Sequence, residues 1–165
     1  QALSAFRVKV DDRTEVTPGF KFNDWEMRGV PLRIEIGPKD VDNGVVTIAR
    51  RYLPGKAGKS ALALDNLAQQ IGVVLDEIHD AMLDKATRFR DANIHEPNTY
   101  AELLTTVENG WAYAGWCGGK DCEAKVKEAS KATTRCMPLD QPEDKGVCVV
   151  CGKPATAKVY FARAY

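Results

Sequence analysis

Apolar and polar residues alternate along "FRVKVDD" (6–12), which puts Phe6, Val8 and Val10 on one face and predicts a half-buried strand. Thr17 before Pro18 reads as an N-cap followed by a first helical position. The helix it opens would carry Phe22, Trp25 and Met27 to about Gly29. "VPLRIEIG" (30–37) alternates again, with Leu32, Ile34 and Ile36 inward and Arg33 and Glu35 outward. The turn residues Asp42-Asn43-Gly44 then lead into a third strand, "VVTIARR" (45–51). From Ser60 to about Asn93 the period changes. Leu64, Leu67, Ile71, Val74, Leu75, Ile78, Met82 and Phe89 recur at spacings of three and four, the face of one long helix that packs on the sheet. Glu96-Pro97 ends it, and Thr99 with Glu102 forms a capping box for a short helix to about Glu108.

Strand, helix, strand, turn, strand describes an α/β (α+β) layer domain over residues 1–59. It reads as N-terminally incomplete, because the chain starts without methionine on what looks like the tail of an earlier element. Residues 60–110 are expected to be a helical segment that packs on this domain and links onward. Beyond Gly110 short strands, glycines and all five cysteines follow one another, which predicts a second, small α+β domain over 111–165.

The 165 residues are 44% hydrophobic and 28% charged, the profile of a soluble globular chain. No apolar run approaches the roughly 20 residues of a membrane span, and the start lacks a signal-peptide pattern; a cytoplasmic location and no membrane partner are expected. A formal net charge of zero conceals an uneven distribution. Residues 28–59 hold seven basic and three acidic side chains, whereas 60–111 hold three basic and nine acidic. The first block leaves room for a phosphate-binding face.

The cysteines fall into two close pairs, Cys117-x4-Cys122 and Cys148-x2-Cys151, with 25 residues between them. Such pairs fit a tetrahedral four-thiolate zinc site, and "VCVVCGKP" has the form of a zinc-knuckle turn closed by Gly152. A disulfide framework suits neither the expected compartment nor an odd cysteine count. A thioredoxin-like pair requires a helix after C-x-x-C, where Gly152-Lys153-Pro154 stands instead. Inert buried thiols remain the reading for Cys136 alone. Four cysteines fill the coordination sphere, so the zinc is expected to be structural.

Two other features promise less. "GKAGKS" (55–60) imitates a phosphate loop, but the required first glycine is Leu53. His79 and His95 lack the i, i+4 partner of a helical metal pair.

"TPGFKFNDWEMRGVPLRIEIGPKD" (17–40) resembles the anticodon-binding domain of the class II prolyl-tRNA synthetases. "CGGKDCE", "TTRCMPL", "CVVCGKPA" and the ending "VYFARAY" resemble the C-terminal zinc-binding domain of one subtype. The resemblance implies a mixed-sheet anticodon-binding domain followed by the zinc domain. The parent enzyme is a homodimer that activates proline with ATP and magnesium and transfers it to tRNA(Pro), with no DNA partner. By position it implies anticodon contacts from Phe22, Glu26, Arg33, Lys39, Asp40 and Lys56, zinc ligation by Cys117, Cys122, Cys148 and Cys151, and an active-site-ordering role for Tyr165. The catalytic motifs of the class are absent; Phe89-Arg90-Asp91-Ala92 is a faint echo without the glutamate, so this stretch alone is not expected to aminoacylate. The alternative is a stand-alone RNA-binding zinc module derived from a synthetase. A redox protein using Cys148 and Cys151 is a third reading.

Overall fold

A computed structural model describes residues 3–164, so Tyr165 lies outside the described residues. The chain forms two compact units that divide between Ala86 and Thr87. In the first, Thr17 caps α1 (Pro18–Met27) by accepting from the Phe20 amide, and Pro18 occupies the first turn, where its missing N–H costs nothing. Three strands follow, β1 (Leu32–Glu35), β2 (Val45–Arg50) and β3 (Lys59–Ala63), paired antiparallel in that order. A short α2 (Pro38–Asp42) bridges β1 to β2, and a 3₁₀ turn (Gly55–Gly58) precedes β3. Val46 and Ile48 alternate inward on β2 and meet Leu67, Ile71, Val74 and Ile78 of α3 (Leu67–Ala92).

Several expectations change here. Residues 6–12 form no strand: Phe6 packs against the core, but Val8 and Val10 are exposed, because alternation stabilises a strand only where a neighbour takes its backbone hydrogen bonds. This segment is held instead by its charges. Asp11 accepts from Trp25 Nε1 at 2.8 Å and from Arg13, whose guanidinium also reaches Asp24 at 3.0 Å. The long helix begins at Leu67, not Ser60; Ser60–Ala63 belong to β3 and Leu64 is exposed. The apolar stripe also outruns its support, for Met82 and Phe89 are exposed. Ile36, expected inward, is exposed beyond the end of β1. A strand rather than a helix after "GKAG" removes the architecture a phosphate loop needs.

The second unit is a four-stranded sheet in the order β4-β5-β7-β6, from β4 (Ile94–His95), β5 (Trp111–Trp116), β6 (Ala132–Cys136) and β7 (Ala157–Arg163). β4 runs parallel to β5, and β7 lies antiparallel between β5 and β6. The capping box of α4 (Tyr100–Asn109) forms as expected, Thr99 accepting from the Glu102 amide and Glu102 from the Thr99 amide. Leu103 and Val107 of α4 and Val126 of α5 (Lys120–Ser130) cover Ala112, Ala114, Val159 and Phe161 on one face of the sheet. The opposite face carries Trp111, Tyr113 and Tyr160, the two tyrosines stacked at 4.7 Å. Cys136, expected in the core, ends β6 and is exposed.

Candidate anticodon groove and metal centre

Residues of α1, β1, β2 and the loop after β2 line a groove of about 810 Å³, among them Phe22, Trp25, Glu26, Arg33, residues 49–56 and Lys59. Phe22 and Glu26 lie one helical turn apart, so both face the groove. Arg33, pointing out from β1, lays its guanidinium over the Phe22 ring, 3.9 Å from the centroid. Its Nη1 donates to Glu26 at 2.7 Å and its Nε to Glu35 at 3.0 Å. Lys59 donates to the second Glu35 oxygen at 2.7 Å. Burial raises the Glu35 pKa, but Lys59 and Arg33 outweigh it and hold the carboxyl below its ordinary value. The result is a planar cation stacked on an aromatic ring, oriented from two sides and lining the groove.

Four of the six residues implied by resemblance thus share one groove: Phe22, Glu26, Arg33 and Lys56. Lys39 and Asp40 do not line it. They sit in α2, where Asp40 accepts from the Gly37 amide at 2.8 Å and from Thr47 Oγ1 at 3.3 Å, while the Lys39 side chain is exposed. Arg50, Arg51, Tyr52 and Lys59 line the groove without having been singled out by sequence. The adjacent pair Arg50-Arg51 ahead of a Gly-rich turn was the available signal. Trp25 is half-buried at the groove with its Nε1 donating to Asp11.

In the second unit Cys117, Cys122, Cys148 and Cys151 bring their sulfurs within 4.8 Å of one another. Cys117 directly follows β5; Gly118, at φ +79°, turns the chain, and Gly119 caps α5, whose first turn carries Cys122. The second pair rides a turn in which the Cys148 carbonyl accepts from Gly152 at 2.8 Å and the Cys148 amide donates to Lys153 at 2.7 Å. Gly152 has φ +70°, the left-handed geometry such a turn needs. The knuckle is pressed onto β5: Val149 donates to Gly115, and a Cβ on Gly115 would lie 2.4 Å from the Val147 oxygen.

All five cysteines are free, and the Cys117 sulfur lies 3.6 Å from Cys122 and 3.8 Å from Cys151. Those are not disulfide distances, whereas thiolates about 2.3 Å from one ion stand about 3.8 Å apart. Burial raises the Cys148 pKa, but amides of Cys151, Val150 and Cys117 dominate and bring it down to about 7. Burial and the neighbouring sulfurs push Cys122 up to about 12. Four converging thiols cannot all ionise without a cation among them, and a soft four-sulfur donor set fits zinc.

Residues 2–85 match the family model described as "Anticodon binding domain", and residues 100–165 match "Prolyl-tRNA synthetase, C-terminal". A proline–tRNA ligase of Roseiflexus castenholzii is 48% identical over 159 residues, covering 96% of this chain and 33% of the relative. The chloroplastic/mitochondrial proline–tRNA ligase of Arabidopsis thaliana is 45% identical over 163 residues, covering 96% and 30%. The crystal structure of prolyl-tRNA synthetase from Cryptosporidium parvum, complexed with L-proline and AMP, superposes with a TM-score of 0.85 at 31% identity, covering 98% of this chain and 34% of that one. The chain spans about a third of the length of the curated relatives it matches. With its first unit in the anticodon-binding-domain family and its second matching a C-terminal domain particular to one synthetase, the chain belongs to the prolyl-tRNA synthetases, as their C-terminal part.

Proposed function

We propose that the chain recognises the anticodon of tRNA(Pro) for a proline–tRNA ligase, with its second unit a scaffold closed by one structural zinc ion. The observation that carries this is the Arg33 guanidinium, stacked on Phe22 and held between Glu26 and Glu35 in a groove of the anticodon-binding domain. Its remaining donors suit the O6 and N7 edge of guanine, and Glu26, half-exposed, can turn to accept from guanine N1 and N2. Proline anticodons share two guanines, which such a pairing of cation and carboxylate would distinguish from adenine. Phe22 and the guanidinium plane offer stacking to an unpaired base, worth about 1–3 kcal/mol. Lys39 and Asp40, outside the groove, are assigned to the flanking nucleotide on the α2 side; Lys56 lines the groove itself.

Cys117, Cys122, Cys148 and Cys151 would hold the zinc, which when bound neutralises their charge and ties the knuckle to β5 and α5. No helix among the described residues is long and apolar enough to cross a membrane, in keeping with a cytoplasmic enzyme. ATP, magnesium, proline activation and homodimer formation are assigned to the rest of the full-length protein, where the Tyr165 carboxylate is proposed to order the active site. Direct titration tests the reading: the chain should bind a tRNA(Pro) transcript more tightly than the same transcript with either shared guanine changed to adenine. Equal affinity for all three would overturn it.

A further inference from the structure

Five cations line the groove, Arg33, Arg50, Arg51, Lys56 and Lys59, and they divide into two kinds. Arg33 and Lys59 share Glu35, Arg33 also holds Glu26, and Arg50 is bound to Ser60 Oγ at 2.8 Å and faces Glu77 at 3.7 Å. Among the described residues, neither Arg51 nor Lys56 is in an ion pair. The backbone of Arg51 is nevertheless fixed. Its amide donates to Pro31 at 3.0 Å, and a Cβ added to Gly29 would lie 3.6 Å from its Nη1, so the guanidinium reaches across to the end of α1. The loop from Arg51 to Gly58 that carries both cations is folded tightly, since a Cβ on Gly58 would lie 2.4 Å from the Leu53 oxygen and 2.9 Å from the Arg50 oxygen.

An arginine already neutralised by a carboxylate exchanges one partner for another when a phosphate arrives, whereas an unpaired one adds net attraction and lets condensed counterions go. The two kinds of cation therefore have different uses. We infer that Arg51, acting with Lys56, binds the sugar–phosphate chain of the RNA segment whose bases meet Arg33 and Phe22, so that the loop after β2 grips the backbone while β1 and α1 read sequence. This rests on the reading of the groove as an anticodon site and adds a binding residue to it.

The test is the salt dependence of tRNA binding by the chain, its Arg51→Gln and Arg51→Lys variants, and Arg33→Ala as a contrast. The Arg51 side chain is exposed and its structural hydrogen bond is made by the backbone, so both variants should fold, with an unchanged melting curve as the check. Losing one contact to a single-stranded phosphate should lower the slope of log K against log salt by about 0.7. Between roughly 50 and 200 mM salt, Arg51→Gln should then lose about 2.6-fold less affinity than the parent. The weakening should be equal for tRNA(Pro) and for the guanine-to-adenine transcripts, and Arg51→Lys should restore the slope. An unchanged slope, or a loss confined to the cognate transcript, would overturn the inference. A parent chain that binds all transcripts alike refutes anticodon reading but still decides on Arg51 through the slope; a parent that binds no RNA refutes both.

Discussion

The groove of the first unit and the cysteine cluster of the second are both built from charged or ionisable side chains, yet they relate to their cores in opposite ways. Phe22, Glu26 and Arg33 stand on α1, which buries no residue fully, and on a four-residue strand; their partners are one another and Glu35. Cys122 and Cys148 are themselves buried, and Val149 between the knuckle cysteines belongs to the apolar cluster of the second unit. The groove is mounted on a core that exists without it. The cluster is part of the core it completes.

The sharpest way to break that contrast is to remove the proposed metal ligands. Cys148→Ser, or exhaustive chelation, should cost on the order of 10 kcal/mol and unfold the second unit. Hydrogen exchange should then become fast at Leu103 and Val159 while Val46 and Ile48 stay protected, with zinc analysis falling from one per chain to none. Slow exchange at Leu103 in a metal-free protein would show the cluster to be as dispensable to folding as the groove. Next in size, Gly115→Val forces side-chain atoms into the Val147 carbonyl and should destabilise the second unit by about 1–3 kcal/mol, read as a lowered melting temperature and weaker metal retention.

Arg33→Ala should do the reverse. Loss of the stacked guanidinium is expected to cost about 1–3 kcal/mol in tRNA(Pro) binding, roughly 5- to 150-fold, with at most a small fall in melting temperature and no change in zinc content. Unaltered affinity would remove Arg33 from the site. The smallest effect concerns pH. Glu35 has its folded pKa lowered, so its stabilisation of the Arg33–Lys59 fork is complete above the ordinary glutamate value of about 4.3 and is lost as pH falls through the lower folded pKa. Side-chain NMR of Glu35 should titrate below a model glutamate, and Lys59→Met should move it back up.

Much of this was legible along the chain where the signal is local. The N-cap of α1, the capping box of α4 and the 3.6-residue stripe from Leu67 to Ile78 depend on residues within one or two turns, and each formed as expected. The two cysteine pairs announced one site because a zinc ligand set is defined by residue type and short spacing. Failures gathered where a distant partner decides. Val8 and Val10 alternate like a strand but have none beside them; "SALA" reads like the start of a helix but pairs with Val45–Ile48. Cys136 looks like core from its type, yet it ends β6 where the register with β7 slips.

The sequence by itself determined the elements whose signals lie within a turn or two, the four clustered cysteines as candidate metal ligands and, through two ordered motifs, the kinship with prolyl-tRNA synthetases. Only the tertiary structure decided which of the candidate binding residues share a groove, because β1 and the loop after β2 meet through sheet pairing and α1 joins them through side-chain contacts, not along the chain. It also separated the groove's neutralised cations from those in no ion pair among the described residues. A charge written in the sequence is the same letter whether a carboxylate stands 2.7 Å away or none does, and that distance is set by folding.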